Sequence, residues 1–210
     1  MKVSQSILTL FEHRAVVKIT EDRKLCDDEL NRGIFYIKKG AIKIFKKVDK
    51  KDYILWIGLE GDVIGLDQVL LDELDDKTYL ALKHSEIIFV PLQEIKSEID
   101  VNKKLFSDLL HSMSDFSDQL EQRIVNINQK SVITNFAALL FNLSKLKVNE
   151  IVPKIITTKD IANLIGTSTN YVYKTIQKME DKSIISFKER RLKIINRELL
   201  RKLATEGAPD

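Results

Sequence analysis

The chain has 210 residues, of which 44% are hydrophobic and 31% are charged, a composition that fills a core and argues against intrinsic disorder. No apolar run approaches the roughly 20 residues that a membrane-spanning helix needs. Because residues 1–6 carry one Lys and no long apolar segment follows them, we do not expect a secretory signal. The single cysteine, Cys26, excludes an internal disulfide. We therefore expect a cytoplasmic protein that has no membrane partner.

Charge is distributed unevenly along the chain. Residues 1–128 carry 19 Lys and Arg against 23 Asp and Glu, whereas residues 129–210 carry 15 against 8. The net charge of +3 therefore hides a basic C-terminal third. This asymmetry suggests that the C-terminal third meets a polyanion, although on charge alone a solvated basic tail is an equal alternative.

The first part of the chain has the pattern of β-strands. Short apolar runs rich in β-branched and aromatic residues occur at 34–37, 41–45, 53–57 and 87–90, with glycine recurring at the turns between them. Several short strands at close spacing predict an all-β sandwich or a barrel-like roll. We assign residues 1–100 to this β domain.

Residues 101–128 are predicted to form one long helix, because apolar side chains recur at steps of three and four along a single stripe. A narrow stripe of this length is typical of a coiled-coil seam between identical chains. The alternative is a helix that lies on its own β domain. We predict that the helix forms a homodimer through six residues: Leu109, Met113, Phe116, Leu120, Ile124 and Ile127.

A mostly apolar helix over about 132–147 opens the C-terminal domain, which we assign to residues 129–210. After it, Thr157 or Thr158 is a candidate cap for a short helix that ends at the tight turn of Gly166. Ser168 or Thr167 is a candidate cap for a second helix. Its inward residues, at i, i+4 and i+7, are Val172, Ile176 and Met179.

The opposite face of that second helix is polar. Asn170, Lys174 and Gln177 lie on it, flanked by Thr169 and Tyr173, and such side chains bind base edges and phosphates. The helix N-terminal half, where they cluster, is the part that a recognition helix inserts into the major groove.

Two strand-like runs follow, at 184–187 and 192–195, joined by a basic hairpin that includes Arg190 and Arg191. We expect both arginines to contact phosphate as a wing. A generic helical hairpin would explain the two helices but neither the polar face nor the basic hairpin. The order of elements therefore predicts a winged helix-turn-helix that binds double-stranded DNA.

The chain resembles the Crp/Fnr family of bacterial regulators over nearly its whole length. Residues 35–40 (FYIKKG) followed by 61–65 (GDVIG) look like the glycine framework of the family's cyclic-nucleotide-binding-type β-roll, and residues 157–186 closely resemble its helix-turn-helix. The resemblance implies an α+β fold: an N-terminal jelly-roll β-roll, a long dimerisation helix and a C-terminal winged helix-turn-helix. It also implies homodimers on palindromic DNA, an effector in the roll that shifts the recognition helices, and RNA polymerase as a candidate partner.

The family's base-reading positions fall on Thr169, Asn170, Tyr173 and Lys174. Many members have Glu where Asn170 stands and Arg where Lys174 stands. Because Lys offers a point charge in place of the bidentate Arg fork, and Asn pairs better with adenine than Glu does, we predict weak binding to a standard family operator. Three further residues are expected to contact phosphate: Thr158, Lys159 and Ser168.

The predicted sensor pocket departs further from the family. cAMP-binding members carry Gly-Glu-x-Gly followed by Arg-Ser or Arg-Thr, and the Arg pairs with the cyclic phosphate. Here Leu66 replaces the Glu, and Lys77 stands in place of the Arg beside two carboxylates that repel phosphate. We predict an effector that is not cAMP, or none. The resemblance places this degenerate pocket at six residues: Gly65, Leu66, Gln68, Lys77, Thr78 and Leu120.

No cofactor and no metal are expected. An Fnr-type iron–sulfur cluster needs four Cys ligands and the chain has one, while haem bound through His13, His84 or His111 is the weaker alternative. Because no Gly-x-Ser-x-Gly, P-loop or His-Glu-x-x-His motif occurs, we do not expect an enzyme. The remaining rival is a protein-interaction module of the same fold that has lost DNA binding.

Overall fold

The computed structural model describes residues 3–25, 33–49, 51–69, 76–144, 156–189 and 191–206. The chain forms two compact units, Met1–Leu120 (unit 1) and Glu121–Asp210 (unit 2), and the division falls within one long helix. Among the described helices, none combines the length and the apolar character that crossing a bilayer requires.

Unit 1 is built on two antiparallel sheets, preceded by a short helix, α1 (Gln5–Thr9). The strand order is β1-β7-β2-β5 in one sheet and β4-β3-β6 in the other, and a 3₁₀ turn, Leu66–Val69, follows β5. The strands are β1 (Val16–Ile19), β2 (Gly33–Lys39), β3 (Ala41–Val48), β4 (Lys51–Leu59), β5 (Val63–Ile64), β6 (Lys77–Ala81) and β7 (Ser85–Pro91).

Both sheets contribute to one apolar core. Phe35 of β2, Ile42 of β3 and Ile87 of β7 are each at most 1% exposed there. Inward residues of this type come from the short β-branched and aromatic runs that predicted the strands, because alternate side chains of a strand face the same side of its sheet. The N-terminal β-roll predicted from the sequence is confirmed.

A second core lies between the four-stranded sheet and the helices α2 (Leu92–Val101) and α3 (Lys103–Gln129). Its fully buried members include Ile34 of β2, Ile95 of α2 and Leu105 of α3. Asp108 of α3 accepts hydrogen bonds from the Ser6 hydroxyl and, at 3.1 Å, from Lys104 Nζ. The bond from Ser6 is the main cause that lowers the pKa of Asp108.

Unit 2 is a small α/β assembly. Its elements are α4 (Val132–Ser144), α5 (Thr158–Leu164), α6 (Thr169–Asp181), β8 (Ile185–Lys188), β9 (Arg191–Ile194) and α7 (Arg197–Glu206). Phe136 and Leu140 of α4, Met179 of α6 and Leu200 of α7 are completely buried. The predicted α+β class, with a winged helix-turn-helix at the C-terminal end, is therefore confirmed.

The three-part division into residues 1–100, 101–128 and 129–210 stays a prediction, because α3 contributes residues to both units. The end of α3 is joined to α4 within unit 2. Asn135 Nδ2 donates to the carbonyl of Asn126 at 2.9 Å, which fixes the bend between the two helices.

Candidate nucleic-acid interface and effector cavity

The helix-turn-helix is held by local hydrogen bonds that its sequence supplies. The hydroxyl of Thr157 accepts from the Asp160 backbone N–H at 3.1 Å, and Asp160 accepts from the Thr157 N–H at 3.0 Å, which together form a capping box at the start of α5. Gly166 ends α5 with φ +68°, a left-handed conformation that disfavours residues with a side chain. A Cβ at this position would lie 2.7 Å from Ile127 Cγ2. The inter-helical turn therefore requires glycine.

Helix α6 has one buried and one exposed face. Its cap is Ser168, whose hydroxyl accepts from the Tyr171 N–H at 3.2 Å. Val172, Ile176 and Met179 are at most 3% exposed and hold the helix in unit 2. On the other side, the exposed polar residues are Asn170, Tyr173, Lys174 and Gln177. Thr169 is half-buried beside them.

Tyr173 also braces the recognition helix. Its hydroxyl accepts from the Thr158 hydroxyl at 3.3 Å, and its ring lies 6.3 Å from that of Phe187 in β8. The side chain therefore links α5, α6 and the hairpin while remaining 49% exposed. The sequence placed Thr158 on phosphate and Tyr173 on bases, but gave no signal for this hydrogen bond between them.

The hairpin β8–β9 presents basic residues on one side. In β9, Arg191 and Lys193 are exposed whereas Leu192 and Ile194 are buried. Lys188 pairs with Arg191 at the end of the hairpin. Arg190 lies outside the described residues. Sequence reasoning missed Lys193, although the alternation of polar and apolar residues in β9 would have revealed it.

The hairpin is tied to α6 by Glu180, which accepts from the Phe187 N–H at 2.6 Å. Tyr171, 50% exposed in the first turn of α6, is a second residue that sequence reasoning missed. Lys159 of α5 and Ser168 are exposed near the start of the two helices.

Helix α3 is also bonded to the helix-turn-helix. Arg123 of α3 donates a hydrogen bond to the carbonyl of Leu164 at the end of α5, at 3.2 Å, and burial lowers the pKa of Arg123.

The predicted dimer stripe on α3 is divided among different surroundings. Leu109 is 2% exposed in the core of unit 1, so the prediction that it contacts a second chain is wrong. Met113 packs against the same core, and Phe116 and Leu120 line a cavity of unit 1. The N-terminal part of the stripe therefore covers its own β-roll, the alternative that the sequence left open.

The C-terminal part of the stripe is different. Ile124 is 60% exposed, while Ile127 is half-buried and meets Gly166 in unit 2. Exposed apolar side chains also occur at Phe106 and Leu110, on a face of α3 that the sequence analysis did not select.

The effector pocket predicted in the β-roll corresponds to a cavity of about 340 Å³ in unit 1. Four of the six residues that the sequence assigned to the effector pocket lie on its wall: Gly65, Leu66, Lys77 and Leu120. Most of the remaining wall is apolar. Trp56 of β4 and Phe116 of α3 form an edge-to-face pair there, with ring centroids 5.3 Å apart.

Two residues of the predicted pocket, Gln68 and Thr78, do not line this cavity, and their part in an effector site stays a prediction. Gln68 is 5% exposed; its amide accepts from the Gly33 N–H and donates to the Tyr79 hydroxyl, both at 3.0 Å. It therefore joins the 3₁₀ turn to β2 and β6. Thr78 lies in β6 opposite Phe45 and is not part of the wall.

Lys77, the residue in the place of the phosphate-binding Arg, is paired inside the cavity wall. Its ammonium donates a hydrogen bond to Asp67. The pKa of Lys77 is lowered mainly by burial and, to a smaller extent, by the nearby charge of Lys46. Lys46 itself pairs with Asp76 at 2.6 Å. The sequence predicted repulsion of phosphate by Asp75 and Asp76. Asp75 lies outside the described residues, and the carboxylate that meets Lys77 is Asp67.

These features are those of a DNA-binding protein with a β-roll, and comparisons of the chain with known proteins agree with this interpretation. The model of the Crp-like helix-turn-helix domain matches residues 136–203. The chain is 23% identical over 201 residues to the fumarate and nitrate reduction regulatory protein of Vibrio cholerae, covering 93% of this chain and 80% of the relative. The protein of the same name from Yersinia pestis is 24% identical over 189 residues, covering 87% and 74%.

Solved structures with the same fold include FixK2 from Bradyrhizobium japonicum, with a TM-score of 0.78, 16% identity, and coverage of 94% of this chain and 99% of that one. A Crp/Fnr-family transcriptional regulator from Thermus thermophilus gives a TM-score of 0.71 at 14% identity, covering 90% and 98%. Residues 136–203 therefore form a Crp-like helix-turn-helix domain, and over most of its length the chain is similar to Crp/Fnr-type transcription regulators.

Proposed function

We propose that the protein acts as a homodimer that places α6 of each copy in the major groove of one half of a palindromic operator. The observation that carries this proposal is the two-sided character of α6. Val172 and Met179 are completely buried, while Asn170, Lys174 and Gln177 project into solvent from the same helix. A helix held in this way presents its polar side to base edges without unfolding.

The exposed residues are proposed to divide into two roles. Asn170 suits adenine, whose N6 and N7 it binds in a bidentate manner, and Lys174 donates to guanine as a point charge. Gln177 and Thr169 complete the base-facing side. Phosphate contacts are assigned to Lys159, Ser168 and Arg191, which lie at helix starts and on the hairpin.

Tyr173 is assigned a double role. Its hydroxyl is bonded to Thr158 at 3.3 Å, which keeps α5 and α6 at a fixed angle. The exposed part of its ring then contacts the duplex. Thr158 acts through Tyr173 in this scheme, because its single O–H is donated to the Tyr173 hydroxyl and leaves no donor for a phosphate oxygen.

The dimer is proposed to form through α3. Phe106, Leu110 and Ile124 are 39%, 41% and 60% exposed, and Leu110 and Ile124 are separated by two heptads. Apolar side chains repeated at this spacing are buried by an identical helix. The interface therefore uses Phe106 and Leu110 in place of Leu109, and retains Ile124.

We further propose that the regulator has no enzymatic activity, works in the cytoplasm and contacts RNA polymerase when bound to DNA. Its relatives are regulatory proteins, which supports the first point. The effector is not cAMP, because the one basic side chain of the expected phosphate site, Lys77, is engaged with Asp67.

The operator is tested by measuring affinity for a consensus Crp/Fnr palindrome and for duplexes selected from genomic fragments. We expect selected duplexes to bind with nanomolar affinity and the consensus to bind at least about 100-fold more weakly, since each mismatched position costs about 1–3 kcal/mol. The double substitution Asn170→Glu, Lys174→Arg restores the common residues of the family and should raise affinity for the consensus.

Nanomolar binding of the unaltered protein to the consensus would contradict the proposed specificity. Sedimentation of the free protein provides the second measurement. Leu110→Glu should give a monomer, because it places a charge on the proposed interface, whereas Val101→Glu serves as the control, since Val101 is 81% exposed at the end of α2. If both variants had the same oligomeric state by sedimentation, the proposal that α3 forms the dimer interface would be contradicted.

A further inference from the structure

The cavity of unit 1 is built differently from a site for a charged ligand. Its wall includes Ile44, Leu55, Trp56, Phe116 and Leu120, contributed by both a sheet and α3. A volume of about 340 Å³ lies at the small end of the range for ligand sites. A ligand that removes these side chains from water gains free energy in proportion to the apolar area that is buried.

The charged side chains and the phenol on the same wall already have partners within the protein. Lys77 is bonded to Asp67, Asp62 accepts from the Leu59 N–H at 2.9 Å, and the Tyr79 hydroxyl accepts from Gln68 at 3.0 Å. Throughout the described residues, no buried side-chain nitrogen or oxygen lacks a hydrogen-bond partner. A polar ligand that competes for these groups would have to break these pairs, and the half-buried charge left unpaired would be unfavourable.

We propose that this cavity binds a small, uncharged, largely apolar ligand, preferably one with an aromatic ring that packs against Trp56 and Phe116. The proposal deepens the proposed function, since it names the class of effector for a regulator that does not bind cAMP. The edge-to-face pair of Trp56 and Phe116 favours a flat ring, because a third aromatic group extends the same packing. The ligand would contact β4 and α3 at the same time.

The chain provides its own reporter for the test. Trp56 is the single tryptophan of the 210 residues and lies on the cavity wall. The neutral fluorophore N-phenyl-1-naphthylamine accepts energy from tryptophan and is brighter in apolar surroundings. Titrated into the purified full-length protein, it should quench Trp56 in a saturable manner, with one bound probe per chain and a matching rise in its own emission.

A matched pair of substitutions on α3 shows where the probe binds. Ser117 lines the cavity, whereas Ser114 is exposed on the same helix and does not. Ser117→Phe should reduce probe affinity about tenfold or more by occupying the cavity mouth, a change equivalent to roughly 1.4 kcal/mol. Ser114→Phe should leave affinity within about twofold. Thermal unfolding and sedimentation are measured for both variants, because Ser117 lies one heptad from both Leu110 and Ile124, and probe affinities are compared at the same oligomeric state.

The outcomes separate clearly. Absence of saturable quenching, equal affinity of the two variants, or displacement of the probe by millimolar cAMP would each overturn the proposal. Displacement of the probe by neutral aromatic compounds but not by their carboxylated or phosphorylated analogues would support it. DNA binding is measured on the same preparations without probe, so that a failure of the ligand proposal is distinguished from a failure of the proposed function.

Discussion

The exposed face of α6 and the cavity of unit 1 have opposite chemistry. The face carries amide, hydroxyl and ammonium groups that project into solvent, at Asn170, Tyr173 and Lys174. The cavity wall is mostly apolar, and its charged pair, Lys77 and Asp67, is bonded internally. The first surface suits a hydrated polyanion and the second suits an uncharged molecule. DNA binding and effector binding should therefore respond to different substitutions.

The largest expected effect compares a glycine from each unit. Gly166→Ala places a residue with a side chain at φ +68°, with its Cβ 2.7 Å from Ile127 Cγ2. We expect it to lower the free energy of unfolding by about 2–3 kcal/mol and to abolish DNA binding. Gly61→Ala, at φ +92° with no atom within 4 Å of the new Cβ, should cost about 1 kcal/mol and leave DNA binding intact. Denaturant unfolding measures both, and equal costs would show that Ile127 does not constrain the turn.

The second prediction concerns two lysines of α6. Lys174→Ala should weaken binding to a selected operator by about 1–3 kcal/mol, because it removes a donor from the base-facing side. Lys178→Ala, also exposed but nearer the C-terminal end of the helix, should change binding by about 0.5 kcal/mol or less. Fluorescence anisotropy with labelled duplex provides the measurement. If both substitutions weakened DNA affinity to a similar extent, the two lysines would contribute only nonspecific electrostatic attraction to DNA.

Ser168 allows helix stability to be separated from DNA contact. Ser168→Ala removes the acceptor of the Tyr171 N–H and should destabilise the protein by about 1 kcal/mol. Ser168→Asp also caps the helix and should retain stability, but its charge repels phosphate and should weaken DNA binding more than the alanine does. If the aspartate variant bound DNA as well as the unaltered protein, Ser168 would not lie near phosphate.

How far each region could be predicted depends on how local its interactions are. The helix-turn-helix follows from residues close together in sequence: the capping box of Thr157 and Asp160, the glycine turn, and the periodic apolar positions of α6. Each of these signals operates within about one or two helical turns. The polar face of α6 was therefore assigned correctly as exposed.

The cavity and the dimer stripe depend on contacts between residues distant in sequence. Gln68 matched a family position, but its amide is held by Gly33 and Tyr79, and nothing near it in the sequence indicates this. Leu109 also fits the heptad pattern of a seam between two helices, yet it packs against the β-roll. Periodicity shows that a helix has an apolar side, but it does not show which neighbour covers that side.

The smallest expected effect is on the cavity. Millimolar cAMP should leave the melting temperature of the unaltered protein unchanged, because binding would require Lys77 to leave Asp67 in an apolar wall. Asp67→Ala, which removes the carboxylate, should not create a cAMP site either, since the surrounding wall remains apolar. A dose-dependent rise in melting temperature for the unaltered protein would show that the family's ligand is retained.

The most direct test of the central claim is the salt dependence of DNA affinity for the unaltered protein and for a triple variant, Lys159→Ala, Lys174→Ala, Arg191→Ala. The three side chains are exposed, so their removal should not unfold unit 2. For the unaltered protein we predict a linear fall of log affinity with log salt. The variant should bind more weakly, with a slope smaller by about 0.9 for each phosphate that its side chains no longer neutralise. Unchanged affinity and slope in the triple variant would contradict the assignment of this surface to DNA.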